Sequence, residues 1–272
     1  MTDEVQTLSA IAHERMLSLP REPLFIADWL DVVMIHLEVD AGELQEVTPF
    51  QLDLWHGCAF VTLVAVTLRR MHPRFGGKLG ELVFRPLASH RFLNVRTYVR
   101  HEHETGIHFL AEWLDSKLAV QLGPRAFGLP YRLGRIEYEN EVSGGRGRVV
   151  DARSGAALAY RADSEIGAPE LAPCVAGSLD EWLMERYTAF NCIRARRRFF
   201  RVWHEPWLQA RVQVELTERS LLTRSWPLFR DANLAGTNCS PGVRDVWMGW
   251  PHRVRGAALA VSTKTCCLDG VG

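Results

Sequence analysis

Apolar and polar side chains alternate with a period of two along much of this chain, and helical spacing is confined to a few short stretches. Val5, Leu8, Ile11, Ala12, Met16 and Leu19 recur at helical intervals, predicting an amphipathic helix that Leu19-Pro20 ends and that packs on the outside of the body. Val32, Val33, Ile35, Leu37 and Val39 favour a strand, and Asp40 with Glu43 forms a capping box for a short helix closed by Pro49. Leu52 to Leu54, the His56-Gly57 turn and the run Phe60 to Val64 predict a hairpin whose second arm is buried on both faces. A second hairpin spans Asn94 to Trp113. Its alternating positions are Val95, Thr97, Val99 and then Ile107, Phe109, Ala111, Trp113, around a turn at Glu104-Thr105-Gly106.

Further along, Ser116 caps a short helix through Leu122, and Leu133 to Val142 and Ala156 to Ile166 are strand-like. Gly-rich turns at Ser143 to Gly147 and at Ser154-Gly155 separate them. Ser178 with Glu181 opens another helix, and Phe199 to Trp203 and Leu208 to Leu216 alternate again. Many short strands, few helices and no repeat predict a mainly β (α+β) protein, closed or nearly closed, with a few peripheral helices. The expected layout is an N-terminal helix over 1–20, one domain over 21–256 and a tail over 257–272.

Composition narrows the function classes. An apolar share of 47% and a charged share of 24% exclude a disordered or collagen-like chain. Lys plus Arg and Asp plus Glu both number 32, so no net field recommends a nucleic acid or an anionic membrane as partner. The longest apolar stretch, Cys58 to Leu68, is far short of the roughly 20 residues that span a bilayer, and the N-terminus has no secretory pattern; the expectation is cytoplasmic. Six cysteines lie scattered without a C-x-x-C pair, Cys266 and Cys267 in the tail, so neither a zinc site nor a disulfide framework is indicated. Lys78, Lys117 and Lys264 are the chain's lysines. That scarcity matters for chemistry, because lysine can be tuned into an amine nucleophile and arginine cannot.

Several clusters have a chemical reading and a plainer one. His101, Glu102, His103, Glu104 and His108 have metal-ligand types near a turn, where a solvated strand face accounts for them better. Arg194, Arg196, Arg197, Arg198 and Arg201, interleaved with Phe199 and Phe200, have the composition of a single-strand nucleic-acid stripe; on a neutral chain an exposed or carboxylate-paired face is the better account. No Gly-x-Ser-x-Gly elbow is present. In Trp203 to Trp207, His204 lies between two indoles, where desolvation would shift its pKa. Most informative is Gly123 to Arg132, in which Gly and Pro fix a bend at a strand entrance and present Tyr131 and Arg132 at a defined place.

The order of five motifs carries a resemblance. Asn94 to Val99, Gly106 to Phe109, Arg125 to Tyr131, Ser178-Leu179 with Glu185 to Tyr187, and His204 to Trp207 together resemble the bacterial family called domain of unknown function 2071, over roughly residues 22 to 255. That family is similar in fold to acetoacetate decarboxylase, which implies a β-barrel or cone whose interior holds the site. The decarboxylase motif Gly-Phe/Tyr-Pro-Lys-Lys, laid on Gly128-Leu129-Pro130, puts Tyr131 at the Schiff-base lysine, Arg132 at its neighbouring lysine, and Arg125 at an upstream glutamate. A phenol forms no imine, so lysine-adduct decarboxylation is not available at this position. Relatives carry an acidic residue just before the Asn-x-Arg-Thr-Tyr motif, where this chain has Phe92-Leu93.

The resemblance therefore implies a pocket for a small organic acid with no cofactor and no metal. Arg125 or Arg96 would grip the carboxylate, Tyr98, Arg132 and His204 would line the pocket, and Tyr131 would move a proton, its phenol lowered by a neighbouring Arg. The expected activity is that of a lyase or isomerase on a small carboxylate; the alternative is a noncatalytic small-ligand-binding or assembly protein. Self-association into a homo-oligomer is compatible with such a domain.

Overall fold

A computed structural model describes residues 7–164, 170–193 and 196–254, leaving out the side chains of residues 125, 126 and 193. The first half runs α1 (Leu8–Leu17), β1 (Phe25–Val39), α2 (Ala41–Glu46), β2 (Gln51–Leu52), β3 (Ala59–Pro73), α3 (Gly77–Phe84), β4 (His90–His101) and β5 (Glu104–Leu114). The middle continues α4 (Lys117–Ala126), β6 (Tyr131–Glu141), β7 (Gly144–Asp151), β8 (Ala157–Asp163), β9 (Ala172–Pro173) and α5 (Leu179–Met184). The last part is β10 (Thr188–Ile193), β11 (Arg196–Trp203), β12 (Leu208–Arg211), β13 (Gln213–Glu218), α6 (Ser220–Thr223), β14 (Asn233–Met248) and β15 (His252–Arg253). The protein is mainly β, as the alternation predicts. The expected tail at 257–272, with Cys266 and Cys267, lies outside the described residues, as does Arg194.

Strand pairing runs from β4 through β3, β1, β14, β11, β10 and β5, and β5 pairs with β4 again, so the ladder forms a circuit. Two apolar clusters lie on its two faces. On the first, here face A, Val33, Ile35, Leu63, Val95, Ala111 and Trp113 pack against the antiparallel layer β6–β7–β8–β13 through Ile136, Val149 and Leu158. On face B, Met34, Phe60, Val64, Tyr98, Phe109, Ala189 and Phe200 pack with Leu183 and Met184 of α5, and with Leu129 and Trp207. Burial of these side chains at roughly 25 cal/mol per Å² supplies the main stabilisation.

The local signals worked where they act over a few residues. Asp40 accepts from Glu43 N at 2.8 Å, Ser116 caps α4 through Ala119 N at 3.3 Å, and Ser178 caps α5 through Glu181 N at 3.2 Å. α1 lies over β11, with Met16 fully buried and the His13 ring between Trp203 and Trp247. Pairing across the chain corrected other expectations. Trp55 and Cys58 do close the His56-Gly57 turn, but β2 pairs with β4 and not with β3. The β4–β5 turn lies two residues earlier than expected, at Glu102-His103, where Glu102 takes a positive φ and His101 faces Glu104. Gly144 to Gly147 is not a turn. It opens β7 between β6 and β8, where a Cβ at Gly144 would lie 2.2 Å from Ala162 O and one at Gly147 would lie 2.3 Å from the Tyr160 ring. These glycines allow close strand approach.

Among the described residues, no helix is long and apolar enough to cross a membrane.

Candidate functional site on face B

A bulge decides what face B carries. The expected alternation puts Ile107, Phe109, Ala111 and Trp113 on one face, yet the β4–β5 register passes from Val95↔Ala111 to Arg96↔Phe109 and leaves Leu110 unmatched. Leu110, Ala111 and Trp113 accordingly face A, while Ile107 and Phe109 face B. The extra residue shifts the side-chain phase. Glu112 thereby joins the same face as its partners: Met34↔Val64, Val64↔Asn94, Asn94↔Glu112 and Glu112↔Tyr131 form one row across β1, β3, β4, β5 and β6.

A second row lies one pleat repeat away, at His36, Thr62 and Arg96, with Tyr98 next along β4. His36 is held between Thr62 Oγ1 at 2.8 Å and Asn238 Oδ1 at 3.0 Å, and Thr62 Oγ1 lies 2.5 Å from Tyr98 Oη. Tyr98 donates to Leu183 O at 2.8 Å, and Arg96 Nη2 reaches the same carbonyl at 3.3 Å. Burial holds His36 neutral, its pKa down to about 3, with Arg96 as the next cause. The chain His36–Thr62–Tyr98–Leu183 thus fixes β1, β3, β4 and α5 against one another.

Arg96 is the unusual member. It is 6% exposed, and among the described residues its Nε has no hydrogen-bond partner and no carboxylate lies within ion-pairing distance, Glu185 acting on it only through space. Arg186, by contrast, has Asp53 at 2.9 Å. A buried guanidinium without an acid is expensive unless something else supplies the negative charge.

Glu112 is the other unusual member. It is 6% exposed, its Oε2 has no partner among the described residues, and burial pushes its carboxyl up to about 8, so it is protonated at neutral pH. Asn94 Oδ1 and Asn191 Oδ1 are likewise buried and unpartnered. Beside the paired His36, Thr62 and Tyr98, four polar groups on this face thus retain unused hydrogen-bonding capacity among the described residues, against the usual pairing of buried polar atoms.

The bend before β6 sets Tyr131. Gly128 takes a φ of 70°, Phe127 N and Gly128 N bond back to Gly123 O and Pro124 O, and Glu112 N bonds to Pro130 O at 3.1 Å. Asn191 Nδ2 donates to Phe127 O and ties the bend to β10. The Tyr131 ring lies over Gly123, where a Cβ would come within 2.0 Å of it. Its titration departs from expectation. Burial first, and then Glu112, push the phenol well above its usual value, so Tyr131 is a neutral hydrogen-bond donor and a poor base.

Of the remaining expected residues, His204 stays beside face B through Trp207, and Arg132 leaves it. Arg132 alternates to face A, with its guanidinium 5.1 Å from the Trp113 ring and 5.6 Å from the Trp226 ring. His204 is 2% exposed, held neutral at about 4 chiefly by burial, with Nδ1 2.7 Å from Glu205 O and its ring against Tyr187 and Trp207. The Arg125 side chain lies outside the described residues. Lys78 and Lys117 are both exposed. His108 packs on Phe50 and lies 3.0 Å by Nδ1 from Phe190 O, and among the described residues no group of three or more His, Cys, Asp and Glu is arranged to hold a metal ion. Sequence reasoning missed Glu112, although its signal was present: one carboxylate inside the apolar run Phe109 to Leu114.

Comparison with known proteins agrees with this architecture. The sequence profile of the uncharacterized conserved proteins called domain of unknown function 2071 matches residues 26–243. The chain belongs to this family. A relative in Bacillus subtilis strain 168, the uncharacterized protein YqjF, is 31% identical over 198 residues, covering 70% of this chain and 76% of its own. Among solved structures, acetoacetate decarboxylase of Legionella pneumophila aligns over 90% of this chain and 95% of its own with a TM-score of 0.59 at 13% identity. The enduracididine biosynthesis enzyme MppR, complexed with pyruvate, aligns over 86% and 91% with a TM-score of 0.56 at 12% identity. This member of the family thus has an acetoacetate decarboxylase-like fold.

Proposed function

We propose that this protein binds and transforms a small organic acid on face B, as a lyase or isomerase that forms no imine. The observation that supports this reading is Arg96, a buried guanidinium without an acidic partner, which offers a substrate carboxylate paired, charge-assisted hydrogen bonds. Glu112, protonated at pH 7, can donate to a developing oxyanion, and Tyr131, its register neighbour, can donate a second hydrogen bond. Tyr98 positions Arg96 by holding Leu183 O, which both side chains reach. Arg125 remains a second candidate for the carboxylate.

The test is a panel of 2-oxo and 3-oxo acids, followed by thermal shift and by product formation. An acid present at 100 times its Kd should add about 2.7 kcal/mol to the folded state, and Arg96→Gln should remove the response. Turnover that falls in Tyr131→Phe and Glu112→Gln places both in the chemistry; stabilisation without turnover marks a binding protein. Borohydride trapping of an oxo acid on any amine would overturn the imine-free mechanism.

A further inference from the structure

A cavity of about 410 Å³ lies beside α5, lined by Leu8, Ile11 and Ala12 of α1 and by Trp55, Trp182 and Arg186, the last two also packing on Tyr98. Its size is within the range of small-molecule sites. The candidate site residues Arg96, Tyr98, Tyr131, Arg132 and His204 do not line it, whereas the motif Glu185 to Tyr187 does.

The carboxylates around it are already engaged. Asp53 holds Arg186 Nη1, Glu181 Oε2 accepts from Gly177 N at 2.7 Å, and Glu185 accepts from the Tyr187 hydroxyl and from Trp207 N at 2.9 Å. The spare capacity is cationic. Arg186 is 8% exposed and uses Nε on Trp182 O at 2.6 Å, and Arg201 donates Nη1 to Arg15 O; among the described residues Arg186 Nη2 and the buried Arg201 Nε have no partner. The Arg186 guanidinium lies 4.3 Å from the Trp182 ring, and the Trp55 and Trp182 rings are 5.8 Å apart, so donor and flat apolar wall occur together.

We infer that this cavity is a distinct binding site for a small carboxylate with a flat apolar body, its charge directed to Arg186 and its plane against Trp55 and Trp182. α1 closes the site. Ser9 donates to His204 O at 2.6 Å, and Trp203 Nε1 donates to Ser9 O at 3.1 Å, fixing the roof to β11 and the segment after it.

Calorimetric titration of the full chain with benzoate tests this, with benzamide and inorganic phosphate as controls for charge and shape. Benzoate should saturate while the controls bind at least tenfold more weakly. Ile11→Trp, which fills the cavity from the roof, should abolish benzoate binding, and Arg186→Gln should weaken it at least tenfold. Arg96→Gln should affect it less than either of these does. Absence of saturation by about 10 mM, or benzamide binding equal to benzoate, would overturn the assignment. Loss of benzoate binding in Arg96→Gln but not in Ile11→Trp would also overturn it while leaving the face B reading intact. If Arg186→Gln does not fold, Ile11→Trp decides.

Discussion

Replacing Glu112 by Gln should stabilise the protein, and the gain should grow with pH. The carboxyl has a folded pKa of about 8 against an ordinary value of 4.5, so between these values the folded state holds a proton that the unfolded chain releases. Stability contributed by this site is therefore lost as pH rises from about 4.5 to about 8 and is level beyond. Integration gives a cost of about 3 kcal/mol at pH 7 and about 4 kcal/mol at pH 8, which the amide does not incur. Asn94 Oδ1, unpartnered on the adjoining strand, is the acceptor available to the new amide. Urea unfolding of both proteins at pH 5, 7 and 8 measures the difference. Equal stabilities at all three values would show that Glu112 is ionised or already satisfied when folded.

Arg96→Met should also raise stability, on the order of 1–4 kcal/mol, while removing the response to any oxo acid. The substitution deletes a buried charge that no direct ion pair compensates among the described residues, and methionine suits the irregular space beside Met34, whose sulfur lies 3.9 Å from Arg96 Nη2. Leu183 O keeps the Tyr98 hydroxyl as its donor, so no new orphan appears. Gain of stability with loss of binding would mark a residue retained for function at the expense of the fold. Destabilisation by more than about 2 kcal/mol would instead make Arg96 a structural bridge to α5.

The helix caps and most strands were legible in the sequence because each depends on a few neighbouring residues, as Asp40 with Glu43 shows. The family resemblance located Arg96, Tyr98 and Tyr131 on one enclosed face. Glu112 was hidden because a single bulged residue, Leu110, reverses the phase of β5, and period-two reading has no sign of where a bulge falls. Arg132 was grouped with Tyr131 by adjacency, although successive strand residues face opposite ways. The direction of the Tyr131 shift was reversed for a similar reason. The sequence supplies arginines as neighbours, whereas the fold supplies desolvation and a carboxyl. Likewise β2 joined β4, a choice made by pairing across some 47 residues and not by the intervening turn.

The account depends most on Arg96 being the anchor of a noncovalently held acid. A crystal structure with the panel's strongest-binding oxo acid tests this directly. The predicted result is a carboxylate about 3 Å from the Arg96 guanidinium, with its carbonyl oxygen toward Glu112 and Tyr131 and no bond to any amine. Electron density for the acid elsewhere, with Arg96 still reaching only Leu183 O and the Met34 sulfur, would contradict it.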